Sequence, residues 1–411
     1  MSAIGWKHPA AALATAVATW AAAFACLAPP AGAAVPLSTR LAQSLAVPGS
    51  RPASSGAIAV DLATGKPLFV RNPDVPLEPA SNEKLTVSFA ALVELGPAYR
   101  FLTQVLGSGS QVGAVWHGDL FLKGFGDPTL ASLQLERLAA QLKRQGIRQV
   151  DGRVLGDESW FDGRRTAPDW KPSFYLVECP ALSALSVDHG VYQGRQARRP
   201  ALAAAGRFRQ LLRKRGITTG AVGTSKAPAS AIALAEVQSA PLRDVLQEMD
   251  RASDNFTAEL LVKELGAEVG DGGTTAAGVA IVRRDLAAAG VPLAGVRLYD
   301  GSGLSLADRL TPRALAALLV AAWDDPALRG SLWRALPVAG VNGTLEDRME
   351  HAPARGAVHA KTGTTDRASA LAGYVRDRYA FAVLQNGRPV SATAARKAQD
   401  RFATALASIS Q

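Results

Sequence analysis

Cysteine is almost absent from this chain. Only Cys26 and Cys179 occur, and Cys26 lies in an apolar N-terminal stretch. Without that stretch a single cysteine remains, so no intrachain disulfide can form. The five histidines are scattered, and none stands at metal-ligand spacing. There is no phosphate-cradling P-loop and no dinucleotide fingerprint. No metal or cofactor is therefore expected. The G-x-S-x-G elbow is also missing, which removes support for a histidine-based serine hydrolase. After the first 33 residues no apolar run is long enough to span a bilayer.

Acidic residues are in the minority. Lys and Arg number 45 against 35 Asp and Glu, for a net charge of +10. Nucleic acid explains this charge poorly, since no RNA- or DNA-binding motif is present and few aromatics accompany the basic clusters. An anionic wall or membrane surface suits it better, and so does solubility alone.

The N-terminus has its own composition. Lys7 is the only Lys or Arg before an apolar run over residues 9–28, and Ala31-Gly32-Ala33 gives an A-x-A cleavage pattern. Residues 1–33 read as a secretory signal peptide, which implies export to the periplasm or extracytoplasmic wall space. An uncleaved anchor is the competing reading.

Along the rest of the 411 residues the patterning is that of a soluble globular protein. Residues 56–70 alternate around "LATGK" and predict a hairpin. Residues 79–95 carry Leu85, Phe89, Leu92 and Leu95 at helical spacing. "GDLFLKGFGDPTL" and "QVDGRVLGDESWF" are strand-like. "LQLERLAAQLKRQGI" predicts an amphipathic helix closed by Gly146. A second helix is predicted between Pro200 and Gly216, and its charges read as a solvated face. Two helical stretches flank "RASDN". The C-terminal part predicts a hairpin turning at Arg376-Asp377-Arg378, then an amphipathic helix.

Three short patterns could carry chemistry. Ser81 and Lys84 stand three residues apart at a predicted helix start, where they share one face. Helix-terminal N–H groups there would stabilise an oxyanion. A lysine of lowered pKa could take the serine proton. A helix-capping serine beside an exposed lysine reads the same way, and roughly one chance S-x-x-K match is expected in such a chain. Ser253-Asp254-Asn255 offers a second hydroxyl to relay a proton and an amide to orient substrate, or else an ordinary capping cluster. Lys361-Thr362-Gly363-Thr364 ends a predicted strand. Gly363 leaves room for substrate to approach, while Lys361 and the threonine hydroxyls suit a carboxylate. All three patterns coincide by chance in about one chain in a hundred.

The set S-x-x-K, S-D-N, K-T-G occurs in penicillin-binding proteins and class A β-lactamases. With "PASNEKL", "GFGDPTL", "ALSALSVDHG", "APLRDVLQEMDRASDN", "YDGSGLS", "AKTGT" and "LAGYV", the chain resembles the D-alanyl-D-alanine carboxypeptidase/endopeptidase family, the class C low-molecular-mass penicillin-binding proteins. The resemblance implies an α/β, β-lactamase/transpeptidase-like fold: a five-stranded antiparallel sheet flanked by helices. It implies a discontinuous catalytic domain over residues 34–101 and 239–411, and an inserted domain over residues 102–238. The further small domain that relatives nest in this insert is expected to be absent or vestigial, because "ALSVDHG" runs almost directly into the arginine-rich helix.

The resemblance also assigns roles. Ser81 would attack the peptide bond between two D-alanines, with Lys84 as base. The N–H groups of Ser81 and Thr364 would form the oxyanion hole. Ser253 would protonate the leaving D-alanine, and Asn255 would hold the donor peptide. Lys361 would add positive potential and help keep Lys84 neutral. Thr362 and Thr364 would hold the terminal carboxylate. Asp162, beside Trp160, is the candidate partner for a free amine on the stem peptide. Relatives continue "GSGLS" with Arg-x-Asn. This chain has Leu306-Ala307-Asp308 and then Arg309, so a substrate-binding cation is expected to be lost or shifted. The implied partners are peptidoglycan stem peptides and, as covalent inhibitors, β-lactams. A β-lactamase or esterase on the same scaffold, and a wall-binding protein with an idle site, remain as alternatives.

Overall fold

The computed structural model describes residues 35–47, 54–387 and 389–409. The predicted signal peptide lies outside the described residues. The fold belongs to the compact unit that begins at Leu37.

A five-stranded sheet is its centre. The strands run in the order Val358–Thr364, Ala368–Val375, Tyr379–Asn386, Ser55–Asp61, Pro67–Arg71, and every pairing is antiparallel. Side chains alternate between its two faces, as a pleated strand requires. Ala57, Ala59, Leu371, Phe381 and Val383 pack on one face, with Leu41 and Phe402. These last two come from the helices Leu37–Ser44 and Ala392–Ala407. Ile58, Val60, Ala370, Ala372, Ala382 and Leu384 pack on the other, against the helices Lys84–Glu94 and Pro312–Asp324 and their neighbours. Both faces are thus covered. That explains why these strands read as nearly continuous Ala, Val and Leu rather than as polar alternation. The sequence-predicted α/β fold with helices on both faces is what the structure has.

A second sheet lies between residues 102 and 238. Its main path is Val222–Thr224, Val154–Asp157, Val115–Gly124, Leu102–Val112, Ile232–Gln238. The last three strands are antiparallel, and the first two join in parallel. The helices Ser132–Arg144 and Pro200–Lys214 close its core with Leu138, Leu142, Phe208 and Leu212. The strand read through "QVDGRVLGDESWF" is interrupted: it pairs at Gln149–Val150, bends at Asp151 and Gly152, and resumes at Val154. Apart from the first turn of the helix expected over residues 79–95, the hairpins and helices fall where the patterning puts them.

A small third cluster joins the two parts. Phe161, Cys179, Leu182 and Ala184 pack against Phe256, Leu260 and Leu304. Cys179 is a buried apolar filler there.

Candidate active site

Ser81 does not begin the α-helix. It sits in a 3-10 turn, Ala80–Glu83, and the α-helix starts at Lys84. The turn opens at Ala80 with a φ of 48°, a left-handed conformation rare for a residue with a side chain. A 3-10 turn has three residues per turn, so positions i and i+3 are eclipsed. Ser81 and Lys84 are therefore stacked more directly than an α-helix would place them. Lys84 Nζ lies 3.0 Å from Ser81 Oγ.

The amine has two further partners, Asn255 Oδ1 at 2.7 Å and the Ser302 carbonyl at 2.8 Å. A neutral amine has two N–H donors and one lone pair. In the neutral amine these two acceptors take both donors, which leaves the lone pair for the Ser81 hydroxyl. Lys84 is fully buried. Burial pushes its pKa down, against the opposing pull of Asp300, Asp254, Glu259 and Asp250. The arrangement suits a general base.

Ser253 and Asn255 stand where two helices meet. Leu242–Ala252 ends with Ser253 in the left-handed conformation, φ 59°. Asp254 then caps Asn255–Val269 by accepting from the Thr257 N–H at 2.8 Å. The capping cluster and the functional cluster are the same residues: the cap creates the sharp turn that lifts Ser253 and Asn255 toward Ser81. Asn255 Nδ2 donates to the Glu178 carbonyl at 2.9 Å. Both ends of its amide are thus engaged inside the protein.

Lys361 is the second buried amine. It donates to Ser253 Oγ at 2.8 Å and to the Thr362 carbonyl at 3.0 Å. Its pKa is lowered to about 7, first by burial and then by the charge of Lys84, with Asp250 opposing. Asp250 is fully buried and accepts from Ser88 Oγ at 2.8 Å. Burial raises its carboxyl to about 6. Its charge acts on both lysines.

The strand Val358–Thr364 is an edge of the five-stranded sheet. Its Ala360 N–H donates outward, to the Pro337 carbonyl. Backbone direction repeats every second residue, so the N–H groups of Thr362 and Thr364 face the same open edge. Gly363 sits opposite the nucleophile turn. A Cβ there would lie 2.8 Å from the Pro79 carbonyl and 3.1 Å from the Ser81 nitrogen. The glycine admits the backbone of the Ser81 turn, where the sequence suggested an approaching substrate. Asn82 fastens the same contact by donating to the Lys361 carbonyl at 2.7 Å.

An open cleft of about 510 Å³ lies over these groups, lined in part by Ser81, Ser253, Thr344, Thr362, Thr364 and Arg396. Thr362 Oγ1 donates to Thr344 Oγ1 at 2.7 Å. Behind the site, Asp300 holds the loop that presents the Ser302 carbonyl. Its carboxylate accepts from the N–H groups of Gly303 and Ser305 at 2.8 and 2.7 Å, and from Trp170 Nε1 at 2.8 Å. Glu259 accepts from the Gly301 and Ser302 N–H groups and is pushed up to about 8, chiefly by burial.

Seven of the eight candidate residues thus meet around one cleft. Asp162 does not line it. Asp162 accepts from the Arg164 N–H at 3.3 Å and forms an ion pair with the buried Lys263. Trp160 donates to Glu264 at 3.0 Å and meets Phe125 edge-on. Arg309 is turned to Glu78, 3.7 Å away, and Asp308 is buried, accepting from the Tyr299 N–H at 2.7 Å. The Ser302 carbonyl, Asp250, Thr344 and Arg396 escaped the sequence reading. "YDGSGLS" was the one signal for the first of these.

The model of the D-Ala-D-Ala carboxypeptidase 3 (S13) family matches residues 37–201 and 189–409. A D-alanyl-D-alanine carboxypeptidase of Actinomadura sp. is 33% identical, over 88% of this chain and 82% of its own length. A carboxypeptidase of Mycobacterium tuberculosis is 34% identical, over 91% and 85% respectively. Among solved structures, penicillin-binding protein 4 of Haemophilus influenzae shares the fold with a TM-score of 0.77 and 23% identity, over 88% of this chain and 97% of its own.

Proposed function

The chain belongs to the D-Ala-D-Ala carboxypeptidase 3 (S13) family and is a serine-type D,D-peptidase, and from that premise we propose that Ser81 is its acylated nucleophile. The observation that carries this reading is the threefold coordination of Lys84 Nζ by Ser81 Oγ, Asn255 Oδ1 and the Ser302 carbonyl.

Ser81 Oγ attacks the carbonyl carbon between the two D-alanines while its proton passes to Lys84 Nζ. The oxyanion is held by the N–H groups of Ser81 and Thr364. The outward direction of the strand-edge N–H groups supports that assignment. Ser253 gives its proton to the leaving nitrogen and takes in exchange the proton that Lys84 accepted, so Lys84 is again the neutral base when water arrives. Ser253 is held by Lys361, whose partly retained charge favours the negative transition state. Asn255 orients Lys84 and has one amide N–H left for the substrate. Thr362 and Thr364 face the leaving residue's carboxylate. Water then cleaves the acyl-enzyme and Ser81 is restored. A β-lactam would acylate the same oxygen and leave slowly.

Residues 102–238 act as an inserted domain beside a catalytic domain built from residues 34–101 and 239–411. Among the described residues, a hydrophobic core whose buried members all lie between Val105 and Ala235 supports this division. The enzyme works outside the cytoplasm on stem peptides of the cell wall, with residues 1–33 as its export signal. Among the described residues no helix is long and apolar enough to cross a membrane.

Labelled penicillin tests the reading. Wild-type protein should form a covalent adduct that Ser81→Ala abolishes, and should release D-alanine from a D-Ala-D-Ala peptide. A wild-type protein that forms no Ser81-dependent adduct overturns it. Edman sequencing of exported protein should begin at Ala34.

A further inference from the structure

The cleft lined by Ser81, Ser253, Thr362 and Thr364 is also lined by Asp347, Asp400 and two arginines in different electrostatic states. Arg348 is committed to the fold: it donates to Asp400 Oδ1 at 2.7 and 3.0 Å, and to Gln399 Oε1 at 3.3 Å. Arg396 has no acidic partner within ion-pair distance among the described residues. It is exposed and lines the same cleft as Ser81. Among the described residues its side chain reaches one other side chain, from Nη2 to Thr364 Oγ1, at 3.3 Å.

We propose that Arg396 binds the carboxylate of the residue that leaves when the peptide bond is cut. This rests on the D,D-peptidase reading and names the group that recognises the substrate's free end. The geometry supplies three reasons. First, Arg396 projects from the helix Ala392–Ala407 onto Thr364, the last residue of the Val358–Thr364 strand. A substrate with its scissile carbonyl at Ser81 extends its leaving residue past this point. Second, among the described residues most of the five guanidinium donors have no partner, and they lie in the planar fork that fits a carboxylate bidentately. Third, the hydroxyls are arranged to cooperate. Thr364 Oγ1 accepts from Arg396, which leaves its own O–H to donate to the carboxylate. The Thr362 hydroxyl is turned to Thr344, so Thr364 and Arg396 form the main carboxylate pair. A cation left unpaired in a cleft is available to a substrate anion. The paired Arg348 beside it shows what a structural arginine looks like in the same wall.

The test compares two substrates that differ only at the free end: a peptide ending in D-Ala-D-Ala, and the same peptide as its C-terminal amide. Wild type should prefer the acid. In Arg396→Gln, which keeps a hydrogen-bond donor and loses the charge, that preference should fall about 10- to 100-fold, mainly through a higher KM for the acid. Arg396→Lys should restore part of it. An acid-to-amide preference that stays within twofold of wild type in Arg396→Gln overturns the assignment, and so does an equal loss on both substrates. D-alanine release by wild type would still stand in those cases, leaving the peptidase reading intact. If wild type releases no D-alanine and forms no Ser81 adduct, both fall.

Discussion

Replacing Gly363 by alanine separates catalytic geometry from stability. The added methyl carbon would lie 2.8 Å from the Pro79 carbonyl oxygen, 3.1 Å from the Ser81 nitrogen and 3.2 Å from Ala80 Cβ, where ordinary contact is 3.4–4 Å. Two of the three clashes are with backbone, which cannot rotate away. Either the nucleophile turn or the edge strand must move, by roughly 0.5 Å in a close-packed interior. Both carry reacting groups: Ser81 and its N–H on one side, the Thr364 N–H on the other. Overpacking of this size costs about 1–3 kcal/mol of stability, well within the ~5–15 kcal/mol of a typical fold. Catalysis is less tolerant, since a misplacement of about 1 Å can cost 10²-fold. Gly363→Ala should therefore stay folded, lower Tm modestly, and slow acylation by about 10- to 100-fold. A stopped-flow measurement of acylation by a fluorescent penicillin, with a melting curve on the same sample, reads both. Gly65→Ala is the control. It lies in the hairpin turn with a φ of 66° and nothing near its missing Cβ, so it should strain the backbone and leave acylation alone. Acylation within twofold of wild type in a folded Gly363→Ala protein would refute the reasoning, because the close approach would then have room to spare.

Other outcomes follow from the same contacts. Lys84→Met should cut acylation by about 10²- to 10⁴-fold, with no recovery at any pH at which the protein stays folded. The rate should rise with pH as the lysine pair loses its proton, because only a neutral Lys84 accepts one from Ser81. Asp250 raises the pKa of both lysines, so Asp250→Asn should move the acid limb of the pH–rate profile to lower pH; an upward shift would contradict the assignment. Glu264, raised to about 8 mainly by burial, holds its proton in the folded state above its ordinary value of 4.5. Its contribution to stability is complete below that value and lost as pH rises through about 8. Tm should accordingly fall as pH rises from about 5 to about 8, and less steeply in Glu264→Gln. Asp162→Asn strips the partner from buried Lys263 and should cost about 3 kcal/mol, the low end for a buried pair, because 26% of the Asp162 side chain meets solvent. An unchanged Tm with a KM rise confined to peptides bearing a free side-chain amine would instead place Asp162 on the substrate.

Much was legible in the sequence because it is local in the chain. Ser81 and Lys84 are three residues apart, and any helical turn brings them together. Ser253 to Asn255 and Lys361 to Thr364 are likewise contiguous. The alternation of residues 56–70 and the spacing of Leu85, Phe89 and Leu92 report short-range periodicity, so those elements emerged nearly where they lie. The tertiary structure decided what depends on distant segments. It placed the Ser302 carbonyl on Lys84 across 218 positions and Asp250 on Ser88 across 162. It put Pro79 and Ser81 against Gly363, so the glycine serves the protein's own backbone. It gave Asp162 a buried lysine 101 positions away. Arg348 and Arg396 have the same side chain, and their flanking sequence gives no reason to separate them; only packing gives one an aspartate and leaves the other open to the cleft. Sequence sets which groups the chain carries and how neighbours along it turn. Desolvation and charge pairing among remote segments set which of those groups are spent on the fold and which stay free to react.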